Sequence, residues 1–269
     1  MKCRMLLVLS LIAPLAGSCG SPAKSSLQMS LVPPAAYRLT IRTDGTWVLP
    51  QQDAIKYSRD MVLVLRAAEI YDNGDVGAII LFDKPNMLRI DRFVEGREFT
   101  GRVSPRGRVT EVNGLSALRE EIRAEIPVGT PGTFGSGEQV IHQIGDDEVL
   151  ATLNPVLNIW PPTPVSEGDE WTREPIYEPT SRTYIHTHFR LTSMHASDAK
   201  IEFTTTYRRG PEPSSESVGS GEGEVHVTPS AGTLTSYRGK STVEIQPAEP
   251  GGTSGGRTES TTYVTFARL

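Results

Sequence analysis

The chain has only two cysteines among 269 residues, Cys3 and Cys19. From Gly20 onward it has no thiol. That excludes a disulfide framework, a thiol nucleophile and a thiolate metal centre in the folded part. Roughly 250 residues can bury enough apolar surface without cross-links. Long hydrophobic runs are also missing. The stretch MLLVLSLIAPL, Met5 to Leu15, is eleven residues, and a spanning helix needs about 20. Positive charge is in deficit, with 27 basic against 32 acidic residues. Loss of Lys2 and Arg4 would leave 25 against 32, a net of −7. An acidic surface argues against nucleic acid and anionic lipid as electrostatic partners.

Glycine and proline are plentiful, at 25 and 20 residues. Together with abundant Thr and Ser they suit many short strands joined by turns and do not suit a helical bundle.

The N-terminus has the order of a secretory signal: basic Lys2 and Arg4, the apolar run, then small Ala16, Gly17 and Ser18. Pro14 breaks a helix near the end of the run, as a cleavage region requires. Leu15-Ala16-Gly17-Ser18-Cys19 resembles the bacterial lipobox, whose Cys receives a diacylglycerol thioether and becomes the new N-terminus. A large aliphatic residue usually stands three before that Cys. Here Ala16 holds the place and Leu15 lies one step further out. The resemblance implies an exported, palmitate-bearing lipoprotein of the cell envelope, held to the membrane through Cys19. Gly20, rather than Asp, favours the outer membrane if the cell has one.

Beyond residues 1–18, four parts are expected. Residues 19–36 form a Ser/Pro-rich tether that would hold the folded part away from the bilayer. Residues 37–112 form an N-terminal antiparallel sheet. Tyr37, Leu39 and Ile41 alternate with Arg38, Thr40 and Arg42, the period of a half-buried strand. Asp44-Gly45 is expected to turn the chain, as is Asn73-Gly74 between the runs 56–71 and 76–82. Short strands follow at 88–94, 97–103 and 108–112. Residues 113–170 form a helical and loop middle. Leu115, Leu118 and Ile122 stand at helical spacing over 115–125, and 146–159 reads as a second helix bent or ended at Pro155. Residues 171–269 return to strands at 183–191, 200–208, 223–228, 233–246 and 259–269, with loose loops at 210–221 and 248–256.

The fold class expected is all-β or β-dominated α+β: two antiparallel curved sheets or half-barrels with one or two short helices between them. This shape resembles the lipoprotein-carrier proteins by analogy, which implies no function.

The segment Pro161 to Trp171, PPTPVSEGDEW, contains Pro164, Val165, Gly168, Asp169 and Trp171. It resembles the Pro-Val-x-x-Gly-Asp-x-Trp segment of an uncharacterised family of exported bacterial β-rich proteins, many of them lipoproteins. In that family the segment follows a helix and opens the second sheet. Gly221 to Val225 through Gly232 to Leu234 is similar to the strand-turn-strand that comes after. The resemblance implies fold and address, not activity. The residues themselves read as structural: prolines for extended backbone, Gly168-Asp169 for a turn, and Trp171 for the core.

His186 and His188 are the sharpest chemical lead. Two residues apart on a strand, they share a face as paired metal ligands must, with His195 or His226 as a possible third. Arg190 on the same face opposes a cation, and a solvated polar face is the plainer account. Gly252 to Gly256 matches Gly-x-Ser-x-Gly but lies in a loop without the strand and helix of a nucleophile elbow. Ser197 to Lys200 matches Ser-x-x-Lys at a strand turn rather than on a helix. Gly239-Lys240-Ser241 ends like a phosphate loop, but Leu234 stands where Gly is required. Glu120 and Glu121 read as a charged helix face, and Asp146, Asp147 and Glu148 as a helix start.

The expected function is a non-enzymatic, membrane-tethered binding module for an apolar ligand or an envelope protein partner, with no cofactor. The alternatives are a metal-binding protein or metal-dependent enzyme using His186 and His188, and a structural envelope component.

Overall fold

The computed structural model describes residues 24–49, 53–84, 94–125, 145–178, 182–245 and 256–269. Twelve strands form one antiparallel sheet that does not close on itself. They are β1 (Ala36–Val48), β2 (Ile55–Ile70), β3 (Val76–Lys84), β4 (Glu98–Val103), β5 (Val109–Asn113), β6 (Glu170–Thr172), β7 (Ile176–Glu178), β8 (Thr183–Met194), β9 (Ala199–Arg208), β10 (Ser217–Thr228), β11 (Thr233–Ile245) and β12 (Gly256–Arg268). Their order is β5-β4-β3-β2-β1-β12-β11-β10-β9-β8-β6, with β7 also pairing β8. The two described helices are α1 (Leu115–Glu125) and α2 (Asp146–Leu157).

The β-dominated class with short helices is therefore as expected. The two β-rich halves are joined into a single sheet. The seam is β1–β12, which runs unbroken from Tyr37↔Arg268 to Val48↔Arg257.

One face of the sheet carries the core. On β1, Tyr37, Leu39 and Ile41 point inward, as do Leu63 and Leu65 on β2, and Ile80 and Phe82 on β3. Across the seam the inward set continues with Phe266, Val225, Ile201, Leu191 and Phe189. α1 covers part of this face through Leu115, Leu118 and Ile122, the stripe its spacing predicts. α2 adds Val149, Leu153, Val156 and Leu157, followed by Ile159 and the fully buried Trp160. Arg119 on α1 holds Asp146 at the start of α2 at 3.1 Å.

Several local expectations are corrected. Asp44-Gly45 does not turn the chain; β1 passes straight through it. At Gly45 the strand packs against the end of the Tyr57 side chain, and a Cβ there would lie 2.4 Å from its Cζ. Gly210–Gly221 is not all loop, since β10 already starts at Ser217. Its glycines read as loop residues but lie in a strand, where a Cβ on Gly219 or Gly221 would run into the β11 backbone. The helix expected over 146–159 runs from Asp146 to Leu157 with Pro155 inside it, two residues shorter than expected. β6 and β7, three residues each, carry no periodicity long enough to find. The strand expected at 88–94 falls almost wholly outside the described residues, as do the 248–256 loop and most of the Gly-x-Ser-x-Gly match.

The expected tether also differs. Over its described part it is a strap packed onto the core. Leu27, Met29 and Leu31 are buried, at 2%, 6% and 4% exposed. Ser25 exchanges two backbone hydrogen bonds with Val165, at 2.8 and 2.9 Å. Met29 N–H donates to the Pro105 carbonyl and Ser30 N–H to that of Gly232. The alternation Leu27, Met29, Leu31 is a strand-like pattern concealed among Ser and Pro.

Candidate functional site

The inner face is organised by what stands between its rings. Trp171 stacks on Phe189 with centroids 5.6 Å apart, Phe189 meets Phe203 at 6.2 Å, and Phe203 stacks on Tyr237 at 5.1 Å. Phe203 lies on β9 and Tyr237 on β11, two strands apart. They touch because β10 places Gly223 between them, where a Cβ would sit 2.5 Å from the Phe203 ring. Burial raises the Tyr237 hydroxyl far above the ordinary tyrosine pKa.

Beside this aromatic row lies Arg173, 7% exposed. Its guanidinium rests over the Phe189 ring, 5.5 Å from the centroid. Nη1 donates to the carbonyls of Asn154, Pro155 and Asn158 at 3.1, 2.9 and 3.4 Å. Nη2 donates to Thr187 Oγ1 at 2.8 Å, and Thr187 meets Thr205 at 3.2 Å. Burial pulls the guanidinium down to about 10, yet it stays charged at neutral pH. The negative end of α2 supplies its counter-charge.

Away from α2 the inner face turns polar. Hydroxyls pair across strands at Thr43–Thr262, 3.1 Å, and Ser241–Ser260, 3.0 Å. The lining thus passes from aromatic and aliphatic near the strap to hydroxyl-bearing towards the β1–β2 connection. The outermost strands of the sheet path, β5 and β6, do not pair with each other. Helices, strap and loops therefore cover this face in place of a closed barrel.

The histidine pair has the expected geometry and little else. His186 and His188 alternate with buried Ile185, Thr187 and Phe189, so both lie on the outer face. His188 Nε2 is 3.3 Å from Glu170 Oε2. His226 is elsewhere, 3.4 Å from Asp198, and His195 sits in the β8–β9 turn. Among the described residues, no three His, Cys, Asp or Glu side chains converge as a metal site would need. The Ser197–Lys200 match spans a turn into β9, and Gly239-Lys240-Ser241 lies inside β11. Neither stands on the element its chemistry requires. Cys19 lies outside the described residues.

In the Pro161–Trp171 segment, Gly168 has φ +92° and Asp169 Oδ2 accepts the Ser166 N–H at 3.0 Å. Gly168 N–H donates to the Leu191 carbonyl at 2.8 Å, which fastens the turn to β8. Trp171 is buried and its Nε1 donates to the Ile159 carbonyl at 3.0 Å. The segment carries two features that sequence reading did not anticipate. Val165 receives the strap, and Arg173, just beyond the segment, fastens α2. An Arg two residues after a buried Trp is the one sequence signal that could have raised the second.

Among solved structures, the chain is similar to lipovitellin, from a structure titled "Lipid-protein interactions in lipovitellin". The TM-score is 0.51 at 10% identity, covering 88% of this chain and 25% of that one. This chain therefore spans about a quarter of the lipovitellin chain, and the likeness is one of fold. A LolA superfamily protein from Nitrosomonas europaea aligns over 88% of this chain and 86% of its own at 6% identity. Its TM-score of 0.21 carries no structural weight. No curated protein matches the sequence. No helix among the described residues is long and apolar enough to cross a membrane. Residues 83–243 match the sequence model of DUF6263, and the chain belongs to this family of unknown function.

Proposed function

We propose that the protein is an exported cell-envelope lipoprotein, anchored through Cys19, that binds an apolar ligand on the inner face of its open sheet without catalysing a reaction. The observation that carries this reading is the pairing of an apolar inner lining with a sheet that stays open. A closed barrel would seal its lining by strand pairing. Among the described residues the cover is made of α1, α2, the strap and the Pro161–Trp171 segment, elements that can shift without breaking the strand ladder. The fold likeness to lipovitellin, a protein whose structure is titled for its lipid–protein interactions, supports the same reading. We take the Pro161–Trp171 segment to mark the exported β-rich family it resembles, with the outer membrane as the favoured address.

Two measurements test this. Organic extraction of protein purified from membranes in mild detergent, followed by mass spectrometry, is expected to release a bound lipid beyond the one on Cys19. Delipidated protein is expected to bind a fluorescent fatty-acid probe saturably. No co-purifying lipid and no saturable binding would end the ligand reading.

A further inference from the structure

The strap and the Pro161–Trp171 segment together fix how far the folded body can stand from an anchor. Five residue steps separate Cys19 from Lys24. At about 3.6 Å per residue they reach at most about 18 Å. At Ser25 the chain is already part of the fold, bonded in both directions to Val165. Val165 is 4% exposed, and its turn is fastened to β8 through Gly168 and Asp169 bonded to Leu191. Lys24 Nζ lies 3.6 Å from Asp169 Oδ2 on the same turn. That ion pair is exposed and worth little; the backbone bridge and the buried Leu27, Met29 and Leu31 do the holding. By contrast, β1 alone is 13 residues long, roughly 40 Å from its strap end to its far end.

We infer that the exposed residues Pro162, Thr163, Pro164 and Glu167 of this turn are the membrane-facing part of the protein and that a lipid bilayer is their partner. The far end of β1 points away from the surface. This inference rests on the Cys19 anchor. It reverses the usual purpose of a Ser/Pro-rich stretch after a lipid, because the residues that would give reach are spent on the core. The exposed turn is uncharged at Pro162, Thr163 and Pro164, so it can approach a zwitterionic surface. The acidic Glu167 beside it disfavours an anionic one.

The absence of any other thiol after Cys19 makes the test direct. Single-cysteine variants Thr163→Cys and Val48→Cys of the full chain, processed in cells, carry a thiol-reactive fluorophore in phosphatidylcholine vesicles that bear a headgroup quencher. The label at 163 is expected to be quenched and the label at 48 is not. A Gly/Ser insertion of about ten residues between Gly20 and Ser21 is expected to abolish most quenching at 163. Equal quenching at both positions overturns the orientation. Quenching at 163 that survives the insertion overturns control by reach. Mass spectrometry of the same samples separates the two readings. An unmodified Cys19 removes the anchor itself, whereas a lipidated Cys19 with an unquenched label at 163 removes only this inference.

Discussion

Arg173 donates to Thr187 on one side and to three carbonyls at the end of α2 on the other, and so ties the helix to β8 through one buried cation. The last carbonyls of a helix have no intrahelical N–H partner, and at the end of α2 a multivalent donor can satisfy them. Arg173→Met is expected to destabilise the fold by about 3–5 kcal/mol, because those carbonyls lose their donor inside the core. Arg173→Lys is expected to recover only part of this, since a compact ammonium cannot span both directions. Urea midpoints of the two variants check the order. Burial lowers the guanidinium's pKa, so at neutral pH its charge is a cost of folding. That cost would be relieved only between about 10 and its ordinary value near 12.5. The sign is therefore rising stability with pH in that window for this group, and no contribution to acid denaturation.

The glycine between Phe203 and Tyr237 should be hard to replace. A Cβ on Gly223 would lie 2.2 Å from the Arg238 carbonyl oxygen and 2.5 Å from Phe203 Cζ. Gly223→Ala is expected to cost about 1–3 kcal/mol by overpacking. Gly45→Ala meets only the Tyr57 side chain, which is half-buried and can swing aside. Its cost should be much smaller, offset by the better strand propensity of Ala, worth about 0.5–1 kcal/mol. Thermal melts of the two variants should separate clearly. Equal losses would mean that the close approach of Arg238 and Phe203 to Gly223 does not hold in solution.

The strap should contribute to stability as a core element does. Leu27→Ala is expected to lose about 2–5 kcal/mol, whereas Lys24→Ala is expected to lose less than about 1 kcal/mol. A free spacer would show no effect from either. Chemical denaturation of the soluble form without the first 19 residues measures both.

On the outer face Glu202 and Glu224 are directly opposed across β9–β10, and Lys200 Nζ lies 3.2 and 3.1 Å from them. The hydrogen bond and charge of Lys200 hold the Glu224 carboxyl below its ordinary pKa. A lowered carboxylate pKa stabilises above the unfolded value and is lost as pH falls through the folded one. Lys200→Gln is expected to move Glu224 upward in a side-chain NMR titration, and added salt should narrow the difference. An unchanged titration would mean that the three charges do not hold one another in solution.

The sheet was legible where side chains alternate and opaque where small residues replace them. Tyr37–Ile41 and Thr183–Leu191 announced their strands and faces, because burying one side demands a period of two. α1 appeared at its observed bounds from Leu115, Leu118 and Ile122. Gly45, Gly219 and Gly221 misled, because glycine signals a turn locally and here serves close approach within strands. The strap hid because its three apolar residues sit among Ser, Gln and Pro. The aromatic row could not be read at all, since Trp171, Phe189, Phe203 and Tyr237 belong to four strands whose register is set only by the whole sheet. The outward pair His186 and His188 was legible as geometry, but whether other ligands join them depends on long-range pairing.

The seam between β1 and β12 has a kinetic consequence. Its partners are separated by nearly the whole folded sequence, so the central ladder is the last that a chain emerging N-terminus first can complete. Until β12 arrives, β1 presents one row of unpaired backbone groups to any other extended chain. Such long-range closure is slow. A chain of this topology therefore depends on being shielded while it folds. Loss of the strand Gly256–Arg268 would leave two edge-exposed halves prone to aggregation rather than one shortened protein.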